Sequence, residues 1–370
     1  MFFVAKEKIT LLGYSNTPTL EEDEEDNHIF EEVGSDVITY SPSHSIIITR
    51  RCRNKCPYCV FNRLDNKLTV PYSTIKPCKA IRQLGVREVI YMAGERPDKF
   101  PEIRSSLDIW GFGSYLEYLY TMAELGFLEG LIPIIEVGFL SPTELKKMSE
   151  IAALIKIPLD SVDDKHFNTV YPNSPGKQLE IRLRSLEWTG KLNVPTIASI
   201  LVGAKETKSH RKEQLTLLAE LHNRYGHIHE VSLQNFIPIP GTPFSGRTAA
   251  TQKTMLETVE LAKSILPESV SITVPIHLVE NISDFIKAGI RDFGSIPIGR
   301  SPVFPNVEPI NFEDLVSETE KAGFRLHQRF PLRFPYIKDG HYSKKLGQVF
   351  DSYKYKIKKH DQEKLKDLKK

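Results

Sequence analysis

From residue 45 onward, short apolar runs alternate with amphipathic stretches. Ser45-Ile46-Ile47-Ile48-Thr49 is rich in β-branched residues and predicts a buried strand. Residues 74–85 predict a helix ended by Gly85. A second strand is expected at 88–92. Residues 115–126 place Leu116, Leu119, Tyr120 and Ala123 at helical spacing. A third strand at 131–137 leads to Ser141, a good N-cap for the helix behind it, and a fourth lies within 151–159. Beyond these the pattern gives a helix at 176–192, a strand at 196–202 and a clearly amphipathic helix at 208–225. It continues with a strand at 230–236, a helix at 249–266, a strand at 270–274 and a helix at 279–288, and residues 291–293 open an eighth strand. Strand and helix alternating close to eight times argue an α/β fold with a parallel sheet and outer helices. Its natural closure is a full or partial (β/α)8 barrel of the TIM type, with the active site at the C-terminal ends of the strands.

Composition agrees with one large barrel, since 40% of 370 residues are apolar. The expected division is an N-terminal extension over 1–37, a barrel over 38–311 and a C-terminal extension over 312–370. The first contains the acidic run Glu21-Glu22-Asp23-Glu24-Glu25-Asp26, and the last ends in a lysine-rich tail from Tyr353. Both read as solvated termini. A net charge of +2 gives no drive toward nucleic acid. No run of eighteen apolar residues suggests a membrane span, and residues 1–8 lack the features of a secretory leader. A cytoplasmic location is therefore expected.

Candidate chemistry begins directly behind the first strand, in Cys52-Arg53-Asn54-Lys55-Cys56-Pro57-Tyr58-Cys59. Three cysteines at spacings of four and three can turn three thiolates toward one point, with Tyr58 beside the last. Three thiolates can hold three irons of a [4Fe–4S] cluster, leaving the fourth open for chemistry. Structural zinc would need a fourth ligand, usually from a second Cys/His pair. Cys78 is the one other cysteine and His44 lies near, but no second pair exists. Four cysteines in so long a chain do not make a disulfide framework. Cys78 reads as a small buried helical residue. The loop resembles that of the radical S-adenosylmethionine (SAM) enzymes, and the resemblance implies that SAM fills the open iron.

Other strand ends then become candidates for holding SAM. Gly94 permits close backbone approach, and a carbonyl there or the Glu95 carboxylate could accept from the SAM amino group. Asp160-Ser161 could bind ribose hydroxyls or cap the next helix. Arg182 could pair with the SAM carboxylate or be an exposed helical arginine. Residues 199–203 could pack on adenine while Gly203 allows close approach, or could be a strand leaving the core. Asn235 precedes a rigid loop with three prolines and could offer polar contacts to a ligand.

A closer resemblance rests on longer stretches: residues 52–61, 116–119, 174–177, 182–187, 200–203, 220–222, 225–228, 230–243 and 288–294. Together they resemble the CofG-type subunit of FO synthase over roughly 39–311, and the run from 174 to 243 is the most specific. The resemblance implies the radical SAM reaction that closes the 5-deazaflavin ring of coenzyme F420. The implied substrate is 5-amino-5-(4-hydroxybenzyl)-6-(D-ribitylimino)-5,6-dihydrouracil. The implied products are 7,8-didemethyl-8-hydroxy-5-deazariboflavin, methionine, 5′-deoxyadenosine and ammonia. It also implies a second, CofH-type radical SAM subunit that supplies the substrate, and an external electron donor. The chain departs from the family at Gly94-Glu95-Arg96-Pro97-Asp98, where Gly-Asp-Lys-Pro-Glu is usual. It has Ile135-Glu136-Val137-Gly138 for a Thr-Asn segment, Asp160 for Glu, Ser199 for Gly, and Gly294-Ser295 for Gly-Gly. These departures cluster at strand ends, so a paralogue acting on a different small molecule is the alternative. Sulfur insertion would require a second cluster, and no second cysteine set exists.

Overall fold

The computed structural model describes residues 34–61 and 67–352; the acidic run at 21–26 and the tail at 353–370 lie outside them. Eight strands follow the order β7-β6-β5-β4-β3-β2-β1-β8. They are β1 (Val37–Thr49), β2 (Glu88–Ala93), β3 (Ile132–Glu136), β4 (Leu154–Pro158), β5 (Thr196–Val202), β6 (Ile228–Asn235), β7 (Ser271–Thr273) and β8 (Asp292–Pro297). Every ladder between neighbours is parallel. Among the described residues no ladder joins β7 to β8, so the barrel is nearly closed, with one seam. The connecting helices are α1 (Ile75–Gln83), α2 (Pro101–Ile109), α3 (Tyr115–Leu128), α4 (Pro142–Met148), α5 (Asp164–Val170), α6 (Leu179–Lys191), α7 (Lys208–Tyr225), α8 (Gln252–Ile265) and α9 (Ile282–Ala288). Among the described residues none is long and apolar enough to cross a membrane.

The first strand is longer than its apolar stretch. Its leading half, Val37 to Ser43, is buried throughout although Thr39, Ser41 and Ser43 are polar. There β1 pairs with β8 and with a further strand, β9 (Arg325–Gln328), whereas β2 takes over from Ser43 onward. Pro42, which cannot donate to a ladder, falls at that handover. Past the barrel come α10 (Phe312–Lys321), then β9, then α11 (Phe334–Lys338). The residues after β9 pack against the barrel floor, with Phe330 and Leu332 against Ile90, Ile134, Leu154 and Ile197. Arg329 reaches Asp292 (Nη2–Oδ2 2.9 Å) and Glu230 (Nη2–Oε2 3.6 Å). One guanidinium thus offsets two buried carboxylates at this end.

Side chains alternate along each strand, so residues two apart share a face. On β3 to β5 the inward set runs Ile134, Glu136; Lys156, Pro158; and Ile197, Ser199, Leu201, all of which line one cavity. Cys52, Cys56 and Cys59, which follow the C-terminal end of β1, line the same cavity, so it reaches the face where the cysteine segment emerges.

Candidate active site

The cysteine segment is pinned from two sides. From the β2 end, the Glu95 carbonyl accepts from Arg53 N (2.9 Å), and the Glu95 N–H donates to Cys52 Sγ (3.1 Å). From the turn before α6, Gly176 N–H donates to Asn54 Oδ1 (2.8 Å), and Lys55 N–H donates to Asn173 O (3.3 Å). These contacts need backbone to lie against backbone. A Cβ on Gly94 would sit 2.1 Å from Arg51 O and 2.6 Å from Cys52 Cβ. Gly94 therefore answers to the cysteine loop lying across it. Gly94→Ala is expected to displace that loop and lower the iron bound per chain several-fold in anaerobic reconstitution. An unchanged iron content would contradict this.

Cys52, Cys56 and Cys59 all line one cavity of about 350 Å³. Among the described residues, no three His, Cys, Asp or Glu side chains converge closely enough to hold one metal ion. Three thiols lining one cavity suit a cluster in which each would meet a different iron, whereas structural zinc takes four ligands. Burial pushes all three thiols up, Cys59 to about 12. Backbone N–H groups work the other way, from Asn54 and Glu95 onto Cys52 Sγ and from Phe61 onto Cys59 Sγ (3.4 Å). A bound metal centre reverses the effect of burial, because it deprotonates its thiols outright. Cys78 lies apart, fully buried in α1.

Behind the loop lies a charge network. Arg182, on α6, is 1% exposed and joins Glu95 (Nη2–Oε2 2.9 Å) to Asp160 (Nε–Oδ2 2.8 Å). Arg53 meets Glu95 at 2.7 Å, and Lys177 meets Asp160 at 3.0 Å. Burial alone would raise the Glu95 carboxyl, but Arg182, Arg53 and Lys177 outweigh it and hold it at about 2. Arg182 Nη1 is buried with no hydrogen-bond partner. The same holds for Oδ1 of Asn235, whose Nδ2 donates to Leu278 O at 2.6 Å. Both residues line the cavity, and each keeps one buried polar atom, a donor and an acceptor respectively, without a partner. Such atoms fit a ligand with a carboxylate and an N–H or hydroxyl donor, as SAM has. Tyr58 also lines the cavity, with its ring edge-on to Tyr171 at 5.9 Å.

Several expectations change at this level. Gly203 does not border the cavity: a Cβ there would meet Ala250 Cβ at 2.6 Å, and its N–H donates to Glu206 Oε1 at 2.7 Å. Its positive φ serves the turn between β5 and α7, not adenine. Ser161 is fully buried, and its hydroxyl donates to Lys177 O at 2.7 Å. The Glu95 carboxylate is occupied by Arg53, Arg182 and the Phe139 N–H, which makes it an anchor for the cysteine loop. Asp160 does not cap a helix, because Asp163 caps α5 by accepting from His166 N at 2.6 Å. Arg182 is not an exposed helical arginine. Sequence reasoning missed Asn54, Lys177 and Lys156 at the site. The one signal for Lys156 was a lone lysine inside the apolar run Leu154-Ile155-Lys156-Ile157.

Residues 46–218 match the model of the radical SAM superfamily. The chain is 33% identical to the 7,8-didemethyl-8-hydroxy-5-deazariboflavin synthase of Archaeoglobus fulgidus, an alignment covering 86% of this chain and 97% of that one. It is also 33% identical to the enzyme of the same name from Methanothermobacter thermautotrophicus, over 81% and 93% of the two chains. Among solved structures it is similar in fold to the FeFe-hydrogenase maturase HydG from Carboxydothermus hydrogenoformans, with a TM-score of 0.62, 15% identity, and coverage of 81% and 70%.

Proposed function

The chain belongs to the 7,8-didemethyl-8-hydroxy-5-deazariboflavin synthase family of the radical SAM superfamily, and on that premise we propose that it closes the deazaflavin ring. It is a radical SAM enzyme, and its cofactors are a [4Fe–4S] cluster and SAM. Given an electron from an external donor, they supply methionine and a 5′-deoxyadenosyl radical, the hard part of the chemistry. The proposed substrate is 5-amino-5-(4-hydroxybenzyl)-6-(D-ribitylimino)-5,6-dihydrouracil, delivered by a second radical SAM subunit. Ring closure would give 7,8-didemethyl-8-hydroxy-5-deazariboflavin with loss of ammonia, of one hydrogen atom to the deoxyadenosyl radical, and of one further electron and proton, so that SAM is the net two-electron oxidant.

The observation that carries this reading is one cavity lined by three thiols and by the side chains of Arg182 and Asn235, each with one unpaired polar atom. In the proposal, Cys52, Cys56 and Cys59 hold the cluster. Arg182 Nη1 donates to the SAM carboxylate, and Asn235 Oδ1 accepts from a second polar group of the ligand. Residues 301–304 help exclude water: Val303 and Phe304 line the cavity, and Arg50 Nη2 holds the segment through Pro302 O at 2.9 Å.

The test is an anaerobic assay of reconstituted protein with reductant, SAM and the product of a partner subunit. Deoxyadenosine and fluorescent deazaflavin are expected to rise together. Deoxyadenosine rising without deazaflavin would overturn the substrate and favour the paralogue reading.

A further inference from the structure

The cavity holds an ion pair that the cofactor reading leaves unused. Glu136 ends β3 and Lys156 lies on β4, with Nζ–Oε2 at 3.1 Å. The ladder pairs Ile134 with Leu154 and Ile135 with Ile155, so Glu136 and Lys156 are the next pair in register. Inside a barrel such a pair is costly to desolvate, and a well-packed apolar pair often serves stability as well. These two side chains are 27% and 24% exposed, and both line the cavity. Burial opposes the Lys156 ammonium, but Glu136, with Glu230 and Glu88 deeper in the barrel, outweighs it and keeps it charged. Among the described residues neither side chain has another hydrogen-bond partner, so each retains capacity toward the cavity.

The pair therefore presents an acceptor and a donor side by side, with no net charge. A free carboxylate or phosphate brought to it meets Glu136, and a free ammonium meets Lys156. A neutral group with an N–H next to a C=O satisfies both at once. Ile134, Met92 and Ile197 line the same cavity and offer apolar contact to the faces of a flat ring. We propose that Glu136 and Lys156 are specificity-determining residues that read the imide edge of a pyrimidine-dione ring, with Glu136 accepting from the ring N–H and Lys156 donating to the adjacent carbonyl. This deepens the ring-closure reading and rests on it.

The test uses the reconstituted holoenzyme with SAM and two probes, 6-(ribitylamino)uracil and its N3-methyl derivative, titrated calorimetrically. Wild type is expected to bind the parent roughly 10- to 100-fold more tightly, since methylation removes a hydrogen bond to a charged acceptor. Glu136→Ala is expected to weaken binding of the parent and to lose the discrimination between the two probes. A merely structural role for the pair would weaken both probes alike and leave their ratio unchanged. Equal binding of the probes by a wild type that makes deazaflavin would overturn this inference alone. A wild type that binds neither probe and makes no deazaflavin would overturn the ring-closure reading and the inference with it. The wild-type comparison needs no variant to fold.

Discussion

Cys56→Ala is expected to abolish reductive cleavage of SAM while leaving the barrel folded. Cys56 is buried in the pinned segment, and its thiol shares the cavity with those of Cys52 and Cys59. Those two sulfurs accept backbone N–H bonds, so their positions do not depend on Cys56. The alanine deletes one sulfur next to an existing cavity, a loss on the order of 1 kcal/mol against a typical stability of about 5–15 kcal/mol. The variant should melt within a few degrees of the parent when both lack cofactor. Reconstituted anaerobically, it should bind less iron, lose the visible charge-transfer absorption, and form deoxyadenosine at the rate of the protein-free control. Cys78→Ala is the matched control: Cys78 is buried in α1, outside the cavity, and iron and cleavage should persist. Full cleavage by Cys56→Ala would remove this cysteine from the cluster.

The sequence made the frame legible because periodicity is strong where one face alone is buried. β5 and α7 fall at the predicted 196–202 and 208–225. The losses have identifiable causes. The first half of β1 was hidden because both of its faces are buried and one of them carries Thr39, Ser41 and Ser43, so no apolar–polar alternation marks it; the Ser41 hydroxyl, for one, is bound to Glu88. Short elements begun by a proline or an aspartate cap, such as α2 and α5, carry too few apolar positions to show a period. β9, Arg-Leu-His-Gln, is a strand only because β1 offers it an edge. At the site, the cysteines were readable because their chemistry is local in sequence. Arg182 was readable as a candidate and no further, since its partners Asp160 and Glu95 lie 22 and 87 residues away. Gly94 and Gly203 look alike in sequence, and only their neighbours separate one that admits the cysteine loop from one that packs on Ala250.

Arg182→Met is expected to damage stability and activity together, and Arg182→Lys to separate them. Methionine fills much of the arginine's volume but leaves Glu95 and Asp160, 3% and 4% exposed, without the cation that joins them. Arg53 and Lys177 remain, each on one carboxylate only. Removing one member of a buried ion network costs on the order of 3–5 kcal/mol, because the partner charges stay desolvated. In a protein of this size that lowers the melting temperature by roughly 5 °C. The cysteine loop should loosen as well, since Glu95 ties it down through Arg53 and Cys52, so iron loading should fall. Lysine restores the charge, but its three N–H groups diverge from one nitrogen and do not reproduce the separated Nε, Nη2 and Nη1 positions of the guanidinium. Arg182→Lys should therefore recover much of the stability and still show a KM for SAM raised about tenfold or more, through loss of the Nη1 contact. If Arg182→Lys matched the parent in KM, Nη1 would not be a SAM donor, and the arginine's role would reduce to holding Glu95 against Asp160. If Arg182→Met melted with the parent, the two carboxylates would have to be relieved by Arg53 and Lys177 alone, and the network would carry less of the fold than its burial implies.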